Sequence, residues 1–335
     1  MTGPKHLFAA YALAASFMAA LFLFASCSGP SQPGESSGST GADEKISAFV
    51  SIPPQRFFVE RIGGEYVDVS VLVGENQSPH SFDPSPRQMA ELSEADILFF
   101  IGIPFEKHIR DKLKSGREKL AVSDASRKIR KISAPREFTE DGHEKRHGKD
   151  HDGHEPGDAH HDEDLDPHVW LSPSNAALIS EAVFEDLAQL DPSHKDRYTE
   201  NFEQLEKELR ELDTQLSKTL APHEGEEFFV FHPAFGYFAK EYGLDQVAVE
   251  TGGKRPGPKS LTRIIQRAKD ENVRIIFVQP QFPEKSVSVI SKEIGAVVIK
   301  IDPLADDYIE NLRRVASKLE EAFRGEEEER TGDGP

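Results

Sequence analysis

The stretch DRYTENFEQLEKELRELDTQLSKTL, residues 196–220, places Tyr198, Phe202, Leu205, Leu209, Leu212, Leu216 and Leu220 at steps of three and four, with charged residues between them. That spacing writes one apolar stripe along a single α-helix about 37 Å long. Such a stripe must be covered, either by a second copy in a coiled coil or by the chain's own flanks. The flanks supply the more economical cover, because each carries the pattern of an α/β lobe.

Before the helix, the apolar runs ISAFVSI, VDVSVLV, DILFFIG and a weaker one near KLAVS alternate with amphipathic segments. After it come EFFVFH, LDQVAVE, VRIIFVQ and AVVIKI, separated by helical stretches starting near Pro233, Pro258 and Pro283. Proline is accepted in a helix's first turn, where its missing N–H has no partner to lose. Short apolar runs alternating with longer amphipathic segments are the βαβα pattern of a mostly parallel sheet covered by helices. The expected fold is therefore α/β, with two lobes, each holding a mostly parallel four-stranded sheet, joined by one long rigid helix. The expected boundaries are 45–190 for the N-terminal lobe, 191–221 for the linking helix and 222–325 for the C-terminal lobe, followed by an acidic tail, 326–335.

The N-terminus reads as an export signal. Lys5 and His6 precede an apolar run from Leu7 to Ala25 that ends in FASC, with the one cysteine of the chain, Cys27. The run is of membrane-spanning length. The small residues Ala25 and Ser26 directly before Cys27 nevertheless resemble the lipobox of bacterial lipoproteins, although Phe24 stands where leucine is usual. Residues 1–27 are thus expected to be a signal peptide with lipidation at Cys27, and the Ser/Gly/Pro-rich residues 28–44 a flexible tether. The chain is expected to be exported, held at the membrane by a lipid, and monomeric. A net charge of −19, from 59 acidic and 40 basic residues, excludes nucleic acid as a partner, since phosphate binding needs a concentrated positive surface.

Ligands of open parallel sheets collect at the carboxyl ends of strands. His80 follows VDVSVLV through a short loop, His232 ends EFFVFH, Asp302 directly follows AVVIKI, and His168 lies in DPHVWLSP just ahead of a helix. Three imidazoles and a carboxylate suit a divalent transition metal, zinc foremost, whereas calcium or magnesium would require more oxygens. Ligands drawn from both lobes would place the ion in the cleft between them. Binding needs neutral imidazoles, so affinity is expected to fall as pH drops through the ordinary histidine range near 6.5.

The segments SPHSFDPSPRQMAELSEADILFFIG, DPHVWLSP, VFHPAFGYFAKEYGL, TGGKRPGPKSL and IDPL, in that order from about Ile46 to Phe323, resemble the signatures of the zinc-binding receptors of bacterial ABC importers, the ZnuA type. The resemblance implies a non-enzymatic receptor that captures Zn(II) and delivers it to a membrane permease. Its three histidine ligands fall on His80, His168 and His232, and the aspartate of the last motif falls on Asp302. A direct Asp302 ligand and a water in the fourth position remain open alternatives. Histidine rather than glutamate at position 232 favours zinc over manganese. Two positions depart from the family pattern: Pro79 stands where some zinc receptors have glutamate, and Gln279 where many members have glutamate before Pro-Gln-Phe. The competing readings are a manganese or iron receptor or adhesin of the same family, and a zinc hydrolase, although no HExxH helix accompanies the ligands.

Between the N-terminal lobe and His168, residues 141–164 hold His143, His147, His151, His154, His160 and His161 among carboxylates, with almost no apolar residues. A segment this polar cannot bury enough surface to offset its ordering entropy. It is expected to be a disordered loop that binds metal weakly and exchangeably.

Overall fold

The computed structural model describes residues 45–74, 77–113, 120–134, 165–248, 262, 265–266, 268–270, 273–282 and 284–331. Cys27, the histidine-rich tract and the helix start near Pro258 lie outside these residues. Among the described residues, no helix is long and apolar enough to cross a membrane.

All eight expected strands form. The first four are β1 (Ile46–Val50), β2 (Val67–Val71), β3 (Ile97–Phe100) and β4 (Ala121–Asp124), and they make a parallel sheet in the order β2-β1-β3-β4. The other four, β5 (Glu227–Val230), β6 (Asp245–Ala248), β7 (Ile275–Val278) and β8 (Val297–Lys300), repeat that plan as β6-β5-β7-β8, again parallel. The central β3 is buried along its whole length, which is why its sequence reads as an unbroken apolar run.

The described helices are α1 (Pro53–Gly63), α2 (Pro86–Leu92), α3 (Glu106–Leu113), α4 (Pro173–Leu190), α5 (Lys195–Leu220), α6 (Gly236–Glu241), α7 (Glu284–Ile294) and α8 (Tyr308–Thr331). Helix α2 starts on a capping box in which Ser85 and Gln88 each bond the other's end of the first turn. In α4 the side chain of Ser172 caps the N–H of Asn175 ahead of Pro173.

Helix α5 is the rod read from its stripe. Tyr198, Leu205, Leu209, Leu212, Leu216 and Leu220 are buried, and Phe202, at the margin of the stripe, stacks on Phe184 of α4 at 5.0 Å. It packs against α1 and α4 of the first lobe and α8 of the second. Arg61 of α1 grips both oxygens of Glu208 at 2.8 Å, and Arg313 of α8 bonds Gln215. The stripe is therefore covered from within the chain.

In each sheet the strand order reverses between its first and third strands, and a crevice opens there at the carboxyl ends. In the first lobe the chain fills that crevice itself. The carboxylate of Glu106, at the start of α3, accepts bonds from the Ser51 hydroxyl and the N–H groups of Ile101, Gly102 and Ile103. Burial pushes the Glu106 carboxyl up to about 7, even though those hydrogen bonds pull it down. In the second lobe the same position presents His232.

Candidate metal centre

His232 leaves β5 at the crevice beside β7, and its main chain is clamped there. Gln279, which directly follows the last residue of β7, accepts from the His232 N–H and donates to its carbonyl, both at 3.1 Å. An amide makes both bonds at once, whereas an ionised carboxylate at position 279 would lack the donor. Gln279 is 2% exposed, so its side chain is committed to this clamp.

His168 is fixed by a carboxylate. Asp166 Oδ1 lies 2.7 Å from His168 Nδ1 and accepts from the His168 N–H at 2.9 Å. Holding the proton on Nδ1 leaves the Nε2 lone pair free, the arrangement that metal-binding histidines commonly share with a carboxylate. Asp166 is fully buried, and its Oδ2 has no hydrogen-bond partner among the described residues. That oxygen lies 2.6 Å from where a Cβ on Gly236 would stand, so residue 236 has room only for hydrogen. Tyr237 of the second lobe adds a bond to the Asp166 carbonyl at 3.0 Å and accepts from the Ile132 N–H at 3.1 Å.

His80 arrives on the short turn Pro79–Ser81 that follows β2. Its Nε2 stands 2.9 Å from His232 Nε2, which is itself 3.2 Å from His168 Nε2. The three ligand atoms all lie within 4.8 Å of one another. Zn–N bonds of 2.0–2.1 Å directed to tetrahedral corners put neighbouring nitrogens about 3.3 Å apart, so the two separations from His232, 2.9 and 3.2 Å, fall just inside what one ion would set. Pro79, Ile103, Pro167, Trp170, Phe282 and Leu304 form an apolar collar around the histidines.

Asp302 stands apart from the three-histidine group. Its Oδ1 accepts from Gln281 Nε2 and from the Leu304 N–H, each at 2.9 Å, and Asn311 bonds its carbonyl. Among the histidines assigned no site, His108 is exposed on α3 and His194 bonds Asp191 and stacks on Tyr66. His223 is buried against Phe323.

The surroundings move the pH expectation. Burial first, and then the nearby His168, lower His80 to about 4; burial, His168 and His80 hold His232 well below 6.5. Both imidazoles are therefore neutral well below the range read from sequence. In the metal-free protein the unfolded chain takes up protons on these two side chains below 6.5, while in the folded chain His80 resists until about 4 and His232 until well below 6.5. Stability is thus expected to fall as pH drops through that window. Thermal melts of metal-free protein from pH 7.5 to 4 check this, against a His80→Gln, His232→Gln double variant whose profile is expected to be flatter over about the same range.

Sequence reasoning missed Asp166 and Gln281 as partners of the site. The signal for Asp166 was present two residues before His168, at the edge of an acidic tract that made one more aspartate easy to pass over. Gln281 carried no comparable signal, because its role depends on which side chain the adjacent strand end delivers.

Residues 49–322 match the family model described as ZnuA, zinc-uptake complex component A, periplasmic. The high-affinity zinc uptake system protein ZnuA of Bacillus subtilis (strain 168) is 29% identical over 282 residues, covering 83% of this chain and 84% of that protein. A crystal structure of ZnuA superposes with a TM-score of 0.70 at 36% identity, covering 83% of this chain and 99% of that one. The laminin-binding protein Lmb of Streptococcus agalactiae, described as having adhesin and metal-transporting activity, superposes with a TM-score of 0.68 at 26% identity, over 83% of this chain and 99% of its own. Matched across both lobes and the cleft that holds the three histidines, this chain belongs to the ZnuA family of zinc-uptake components.

Proposed function

We propose that this protein is a high-affinity zinc receptor of an ABC importer, capturing Zn(II) outside the plasma membrane and passing it to the permease. The observation that carries this reading is the convergence of three Nε2 atoms from both lobes inside an apolar collar. Imidazole nitrogen in a four-ligand site suits zinc, and the collar excludes the water that a larger hydrated ion would retain. The fourth position is open to Asp302 or to a water. A structure of a ZnuA deletion mutant with zinc bound shares 36% identity with this chain, and the Bacillus subtilis relative is named for high-affinity zinc uptake.

The receptor is monomeric and lipid-anchored through Cys27, with residues 28–44 as its tether. Residues 141–164 act as a collecting arm. Their imidazoles bind zinc weakly and, being tethered close to His168, present it at high effective concentration.

Calorimetric titration with zinc and manganese, after metal analysis of protein purified without chelators, tests the reading. One tight zinc equivalent is expected, with weaker equivalents that disappear when residues 141–164 are deleted. Tight manganese binding with weak zinc binding would overturn it, and loss of the tight equivalent on deletion would show that the arm belongs to the cleft.

A further inference from the structure

His168 precedes α4 in the first lobe, but part of what holds it comes from the second. Ser133 and Leu165 form an antiparallel bridge, and beside it the Asp166 N–H donates to the Ile132 carbonyl at 2.9 Å. Two residues facing each other in this way ordinarily exchange a second bond, from the Ile132 N–H to the Asp166 carbonyl. Here the Tyr237 hydroxyl stands between them, accepting from that N–H at 3.1 Å and donating to that carbonyl at 3.0 Å. Burial pushes the Tyr237 hydroxyl up to about 12, so the proton it donates stays in place. The side chain of Asp166 meets the residue before Tyr237. Its Oδ2, buried with no hydrogen-bond partner among the described residues, faces Gly236, where a Cβ would come within 2.6 Å. The other oxygen, Oδ1, makes both bonds to His168. Two adjacent residues of α6 therefore fix the main chain and the carboxylate of the residue that orients His168.

We infer that Gly236 and Tyr237 are positioning residues for His168: the second lobe, acting through Asp166, selects the imidazole tautomer that presents Nε2 to the metal. Resting on the zinc-receptor reading above, this makes contact between the lobes a condition for a complete ligand set. An imidazole with its proton on Nε2 has no lone pair there for an ion, and only the bond from Nδ1 to Asp166 disfavours that form. Parting α6 from Asp166 would thus weaken the site at His168 in the same movement that withdraws His232. Capture and release are then governed by how the second lobe sits on one carboxylate, in addition to the ligands it brings.

The test compares wild type with Tyr237→Phe, which removes the bridging hydroxyl, and with Gly236→Ala, which pushes on Oδ2. Zinc affinity is measured by chelator competition, and nitrogen-15 NMR of histidine-labelled, metal-free protein reports the His168 tautomer, assigned by its absence from His168→Gln. Wild type is expected to hold the proton on Nδ1, and each variant to show both tautomers. Zinc affinity is expected to fall about tenfold or more in each, the range seen when partners of metal ligands are altered. In an Asp166→Ala background the further loss from Tyr237→Phe is expected to shrink to within about twofold, because the route to His168 is already gone. An undiminished loss in that background would overturn the inference, as would wild-type affinity and a single tautomer in both variants. A wild-type His168 with its proton on Nε2 would overturn it without any variant, should they fail to fold. If wild type binds no zinc tightly, the receptor reading itself fails.

Discussion

His232→Ala is expected to weaken tight zinc binding on the order of 100-fold or more, above the range for losing a mere partner of a ligand. His232 is the central ligand, since its Nε2 lies within 3.2 Å of both other ligand atoms. It is also rigidly presented, with its main chain clamped by Gln279 on both N–H and carbonyl. Removing it takes away a ligand and leaves His80 and His168 without the imidazole between them. Zinc-induced stabilisation should shrink by roughly 2.7 kcal/mol for a 100-fold loss at saturating metal. Calorimetry and thermal melts with and without zinc measure both quantities. His108→Ala, on the exposed face of α3, serves as the unaffected control. Retention of wild-type affinity in His232→Ala would remove His232 from the site.

The second large effect is on stability. Trp170→Ala is expected to destabilise the protein by about 3–5 kcal/mol, the usual cost of truncating a buried large aromatic. Trp170 is 1% exposed, its indole N–H donates to the Pro303 carbonyl at 2.7 Å, and its own carbonyl accepts from Tyr308 at 2.6 Å. Tyr308 packs in turn on Phe57 and Phe58 of α1. The side chain therefore ties the loop that carries His168 to the loop that carries Asp302. Trp170→Phe separates packing from bonding: it keeps most of the apolar contact and leaves a buried carbonyl unpaired, for a loss of about 1–3 kcal/mol. Denaturant unfolding followed by circular dichroism is the measurement, because Trp170 is the chain's one tryptophan and its loss removes the fluorescence signal. A loss below about 1 kcal/mol in Trp170→Ala would show that the site collapses without cost and that the tie between the loops carries little.

Much of this architecture was legible in the sequence because it rests on local periodicity. The stripe from Tyr198 to Leu220 and the eight short apolar runs each record which face of an element is buried, and burial is imposed residue by residue along the element. His80, His168 and His232 were legible for a related reason, since strand ends and helix starts are read from the same patterns. What the sequence determined by itself was thus the two sheets, the rod between them and the three histidines at their edges.

The tertiary structure alone decided how those histidines are held and what they experience. Gln279 lies 47 residues from His232 and Gln281 lies 21 from Asp302; no local pattern links either pair, and only the pairing of β5 with β7 and β7 with β8 brings them together. Asp166 was hidden by an acidic neighbourhood in the sequence until its burial set it apart. The lowered proton affinity of His80 and His232 likewise has no local origin. It arises from desolvation and from the nearness of like groups, both of which exist only after the two lobes have closed around the same small volume.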